Sequence, residues 1–169
     1  MLLNSKSKAV AYGGLFTALS IVFIYLTNIL PYNKLAMLFI ASLIILIGVI
    51  TIGAKYSLFV YISTSILSLF LIGIRGVTLS YILFFGPYGL IKNLIEKLKK
   101  PVLEIIIKLL YFNASLFLYY KLYNVFIPTT LDIPISIVGL LLLLHIVFIA
   151  YDYLLSLFIY KFRNRKYKK

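Results

Sequence analysis

Residues 84–97 read FFGPYGLIKNLIEK, and the fold turns on how that stretch is understood. It begins as apolar sequence that lipid tolerates, breaks at Gly86-Pro87, and resumes with Lys92, Asn93 and Glu96. A proline inside a helix removes one backbone donor and clashes with the carbonyl four residues earlier. At membrane depth such a break survives only where neighbouring helices, side chains or water supply the missing hydrogen bonds. Ionisable side chains at that depth are costly and face protein or a cavity. The stretch is therefore expected to look inward. A solute site touching it is expected above the break, near Tyr81 and Phe85, with Gly86-Pro87 as the hinge between that part and the charged part.

The rest of the chain supports a membrane reading. Of 169 residues, 63% are hydrophobic and only 12% charged, with mean hydropathy +1.08; about a quarter of the residues of a soluble domain are charged. The expectation is an all-α, polytopic integral membrane protein, a single domain over residues 1–169. Six transmembrane helices are expected at about 9–30, 35–53, 56–74, 77–96, 102–126 and 135–160, since about 20 apolar residues span a bilayer. The first run is too long for a signal-peptide core of about 7–15 residues. The turns between runs are short: Pro31–Lys34, Lys55, Arg75-Gly76, Lys97–Pro101 and Pro128–Pro134.

Charge orients the bundle. Six spans put both termini on one side. That side carries Lys6, Lys8, Lys55, Lys97, Lys99, Lys100 and the basic tail of Lys161, Arg163, Arg165, Lys166, Lys168 and Lys169. The other side carries Lys34 and Arg75, and Lys92, Lys108 and Lys121 fall within spans. By the positive-inside rule both termini are cytoplasmic, in a multi-pass protein of the plasma membrane. The net charge of +13 thus reflects topology, and nucleic-acid binding is not expected because no recognition motif accompanies it.

Several chemistries are excluded. Without cysteine there is no disulfide or thiolate chemistry, and a single histidine makes a transition-metal site unexpected. No GxxxxGK[ST] loop is present, so the chain is not itself an ATPase. No HExxH, paired-carboxylate or Ser/His/Asp arrangement stands at plausible depth. No enzyme activity, catalytic residue, metal or cofactor is expected.

Three constellations remain. Lys92 with Glu96, and Glu104 with Lys108, are opposite-charge pairs at i, i+4 on two helices joined by a basic turn. They are expected to form one cross-helix network, serving as a bracket, a coupling element or an ion relay. His145 and Asp152, seven apart, share a helical stripe, and Asp152 is expected to pair with Lys108. The third is the outer half of the last three spans, where Tyr81, Asn113, Tyr120 and Lys121, with Tyr119, Tyr123, Asn124 and the midplane His145, are the candidate contacts for a small solute or else an aromatic belt with a snorkelling lysine. The Ser63, Ser65 and Ser68 hydroxyls are expected to bond back to their own backbone. On the first helix, Ala9, Gly13 and Thr17, flanked by Gly14 and Ala18, form a small-residue face that serves either internal packing or the docking of a partner helix.

Six short-looped helices, cytoplasmic termini and small residues at Ala9, Gly13, Gly14, Thr17 and Ala18 resemble the substrate-binding S components of energy-coupling factor (ECF) transporters. The resemblance implies a vitamin- or micronutrient-like solute bound from the outer side. It also implies a transmembrane coupling subunit docked on helix 1 and separate ATPase subunits. The family's first loop is usually a substantial lid, whereas Pro31–Lys34 is very short. A membrane scaffold of the MreD type, acting through protein contacts alone, is the alternative from another class. An ion- or proton-coupled carrier using Lys92, Glu104, His145 and Asp152 is the third.

Overall fold

The structure is a computed structural model and describes residues 6–30, 32–126 and 137–167. Among these the chain is all-helical. Its elements are α1 (Lys6–Ile29), α2 (Lys34–Thr51), α3 (Ala54–Ile72), α4 (Gly76–Ser80), a π-helical turn (Tyr81–Phe85), α5 (Gly86–Ile95), a 3₁₀ turn (Glu96–Leu98), α6 (Pro101–Phe126) and α7 (Ile137–Tyr167). Five helices are long and apolar enough to cross a membrane: α1, α2, α3, α6 and the Val138–Phe162 part of α7. The chain divides into two units, Met1–Pro128 and Thr129–Lys169. The expected turn residue Pro31 and the 128–134 loop with Asp132 lie outside the described residues.

Helix ends follow from local chemistry. Two glycines at positive φ, Gly53 (92°) and Gly73 (82°), end α2 and α3, a conformation that costs glycine little. Gly53 and Ile52 both donate to the Gly48 carbonyl, at 3.2 and 2.8 Å, so the α2–α3 connection is held within one turn. At the other end of the first unit Asn33 takes the left-handed conformation (φ 66°) ahead of α2. Pro101 opens α6, where its missing N–H leaves no bond unmade.

Two apolar clusters sit at opposite ends of the first unit. One joins Ala9, Ile45, Val49, Ile52, Val60 and Leu90, and the other joins Ile24, Leu38, Ala41, Ile72 and Tyr81. Both include residues from 76–95, so α4, the π turn and α5 form one continuous rod packed among α1–α3. At about 1.5 Å per residue the rod is roughly 30 Å long, the thickness of a hydrocarbon core. The break expected at Gly86-Pro87 within the 77–96 span takes the form of a π turn over Tyr81–Phe85, directly before Gly86, because Pro87 cannot complete an α-helical ladder.

Candidate functional site

The break in the rod leaves carbonyls without helical donors, and each is met from outside. Gly86 N–H reaches back five residues to the Tyr81 carbonyl, leaving the Ile82 carbonyl unclaimed by the helix. Pro87 has no N–H, so the Leu83 carbonyl is unclaimed too. Tyr61 on α3 donates its phenol to Ile82 O at 2.8 Å. Tyr111 on α6 donates to Leu83 O at 2.7 Å, and Ser115 on α6 donates to the same carbonyl at 3.3 Å. Thus the two flanking helices supply what the sequence withdraws. Gly86 is required by this arrangement: a Cβ there would lie 2.7 Å from two Tyr61 ring carbons.

Below the break the rod is aromatic and then charged. Phe84 stacks with Tyr111 at 6.2 Å and meets Tyr88 and Phe112 edge-on or tilted at 5.4 and 5.6 Å. Lys92 is fully buried, and its ammonium lies 2.9 Å from Glu96. Lys108 on α6 reaches the same carboxylate oxygen at 3.7 Å. One carboxylate therefore bridges two buried lysines. The expected four-member network is corrected: Glu104, half-buried, forms no ion pair among the described residues.

Above the break lies a seam of hydroxyls. Tyr81 is fully buried, and its phenol makes no hydrogen bond among the described residues. Its ring is 6.4 Å from that of Tyr61, and its oxygen faces the Thr64 hydroxyl on α3. Thr64 and Thr78 are fully buried and likewise without a hydrogen-bond partner, as is Ser65, which is nearly so. Thr78 stands one turn before Tyr81 on the rod, on the same face. Ser20 on α1 is a further buried, unpartnered hydroxyl. The backbone-return bonding expected of the α3 hydroxyls holds for Ser68, which donates to Ser65 O at 2.8 Å. It does not hold for Ser65. Buried hydroxyls left unpaired cost roughly 1–3 kcal/mol each.

The structure separates the expected solute contacts. Tyr81 is in the core. Asn113 is on an exposed face of α6 and donates to Leu109 O at 2.8 Å. Tyr120 is 61% exposed, and Lys121 lies over the Phe117 ring at 5.3 Å. These three α6 residues do not converge on Tyr81. His145 and Asp152 belong to the second unit. There the His145 Nδ1 lies 2.7 Å from Leu141 O, and the Asp152 main-chain carbonyl accepts from Ser156 at 3.0 Å.

The small-residue face of α1 splits in two. Ala9 is buried, Gly13 approaches Val60 of α3, and Thr17 donates to Gly13 O at 3.0 Å. Gly14 and Ala18 point outward, and nothing lies within 4 Å of a Cβ built on Gly14.

Thr64, Thr78, Tyr61, Tyr111 and Ser115 were not expected from sequence. Pro87 identifies Leu83 as the carbonyl to be rescued, yet which hydroxyl reaches it is decided by helix packing alone. No family model, curated protein or solved structure matches the chain.

Proposed function

We propose that the chain is a six-span protein of the plasma membrane, the 76–95 rod forming the fourth span and both termini cytoplasmic, and that it binds a small polar solute in the hydroxyl seam above the π turn. The one observation that carries this reading is the group of buried, unpaired hydroxyls at Thr64, Ser65, Thr78 and Tyr81. A core that only had to pack would place apolar side chains there, since orphan hydroxyls subtract from stability. The π turn beside them supports the same reading, because such bulges gather at functional sites. Relative to the sequence expectation, the site moves from the α6 surface into the interface of α1, α3 and the rod.

In this reading the chain works as an S-component-like binding subunit. A transmembrane coupling subunit docks on Gly14 and Ala18, and ATPase subunits supply the energy. The test is native mass spectrometry of the protein purified in mild detergent. A small molecule retained by the wild type and lost from a Thr64→Val, Tyr81→Phe double variant is the expected result. Ligand-free protein that co-purifies with envelope-synthesis proteins instead would replace this reading with the scaffold one. Gly14→Leu is expected to block capture of a coupling subunit with the fold intact; unchanged capture would remove α1 from the docking role.

A further inference from the structure

Arg75 stands at the start of the rod, at the same end as the hydroxyl seam. It caps α4, one turn before Thr78 and about 9 Å along the axis from Tyr81 at the helical rise of about 1.5 Å per residue. Its side chain is exposed, and its Nη1 donates to the Asn28 side-chain oxygen on α1. That partner is neutral. The acidic side chains described in the first unit, Glu96 and Glu104, stand at the opposite end of the rod and α6. No carboxylate among the described residues meets the guanidinium, and one of its five N–H groups is engaged by the Asn28 amide. A planar fork with free donors is suited to bidentate capture of a carboxylate or phosphate. The seam beneath offers only hydroxyls, which suit the uncharged part of a molecule. The next cation along the rod, Lys92, is already paired with Glu96, so no other described group on the rod competes for an anion.

We propose that Arg75 is the specificity residue of the site: it takes an anionic group, carboxylate or phosphate, of a solute whose uncharged body lies among Thr64, Thr78 and Tyr81. This rests on the solute-binding reading above and adds the charge of the ligand to it. A second role follows from the same geometry. The Arg75–Asn28 bond ties α1 to α4 above the seam, and exchanging the amide for an anion releases that tie.

The experiment compares the full-length wild type with Arg75→Gln and Arg75→Lys by native mass spectrometry, releasing the retained molecule by collision. Glutamine can still donate to Asn28, so the fold is kept; circular dichroism and the thermal midpoint verify this. A charge-assisted hydrogen bond contributes about 1.5–3 kcal/mol, so occupancy in Arg75→Gln is expected to fall about tenfold or more. Arg75→Lys should retain an intermediate share. Loss of carbon dioxide or of phosphoric acid on fragmentation identifies which anion is present. Equal occupancy in Arg75→Gln, or a retained molecule without an acidic group, overturns the Arg75 assignment and leaves the hydroxyl site standing. An Arg75-dependent molecule that proves to be a diacyl lipid makes the anion a headgroup phosphate and overturns the solute assignment. A wild type that retains nothing overturns the solute-binding reading itself, and this inference with it.

Discussion

The two halves of the rod at 76–95 handle buried polarity in opposite ways. Below the π turn, Lys92 is fully buried but ion-paired, and Glu96 ties it to Lys108 on α6. Above the turn, Thr78 and Tyr81 are as deeply buried, yet neither hydroxyl has a partner among the described residues. Charge in the lower half is ion-paired within the fold, as a buried charge must be to survive in a low-dielectric setting. Hydrogen-bonding capacity in the upper half is left over. The lower half therefore reads as a bracket, and the upper half as the part held for something else. Between them, Tyr61 and Tyr111 each hold one stranded carbonyl, so the boundary is itself fully satisfied.

The largest effect is expected from breaking the bracket. Glu96→Gln removes the carboxylate that bridges Lys92 and Lys108. Losing one partner of a buried pair costs about 3–5 kcal/mol; Glu96 is one-third exposed, so about 2–3 kcal/mol is expected after allowing for solvent screening. Thermal unfolding in detergent measures it. A midpoint within error of the wild type would show that the lower half is no more committed than the upper.

Gly86→Ala comes next. The added methyl would meet the Tyr61 ring at 2.7 Å and the Tyr81 carbonyl at 3.0 Å. Overpacking of this kind costs about 1–3 kcal/mol, and moving Tyr61 also uncaps Ile82 O. A loss of about 2–3 kcal/mol is expected, with changed near-ultraviolet circular dichroism from the tyrosines. An unchanged tyrosine signal would mean that α3 does not seal the boundary.

How much of this was legible in sequence follows from where each feature resides. The apolar runs located the helices, because period and length are local properties, although the last one extends to Tyr167, past its expected end at 160. The bonding crisis at Pro87 was legible for the same reason: a proline names the carbonyl it displaces. The donors that resolve it, Tyr61, Tyr111 and Ser115, were not, since each is 21 or more positions away in sequence from its acceptor. Asn113, Tyr120 and Lys121 were grouped with Tyr81 by depth alone. Depth says nothing about azimuth, and α6 turns all three away from the rod. Gly13 and Gly14 are separated by the same rotation: adjacent residues differ by about 100° around a helix, so one packs on Val60 and the other faces out.

Tyr111→Phe tests the boundary more gently. It leaves Leu83 O with only the longer Ser115 contact, and a loss of about 1–2 kcal/mol is expected. Pro87→Ala restores a backbone donor to the same carbonyl, so the tyrosine should matter less in that background. A double-mutant cycle is expected to give a coupling of at least about 0.5 kcal/mol. Strict additivity would mean that Tyr111 packs on the rod without rescuing its break.

The smallest effect is the one whose sign matters most. Tyr81→Phe removes the phenol oxygen and keeps the ring against Tyr61 and the Ile24–Leu38 cluster. If the oxygen were an orphan in a core built only to pack, its removal would relieve a desolvation penalty and raise the thermal midpoint. If a solute is held by it in the purified protein, the same substitution costs about 1 kcal/mol and lowers the midpoint. The expected result is the second, and Thr64→Val, acting on the opposing hydroxyl, is expected to move in the same direction. The two should be non-additive, because one bound molecule is lost by either. A raised midpoint in both would erase the contrast between the halves of the rod, making the upper half merely less well packed than the lower.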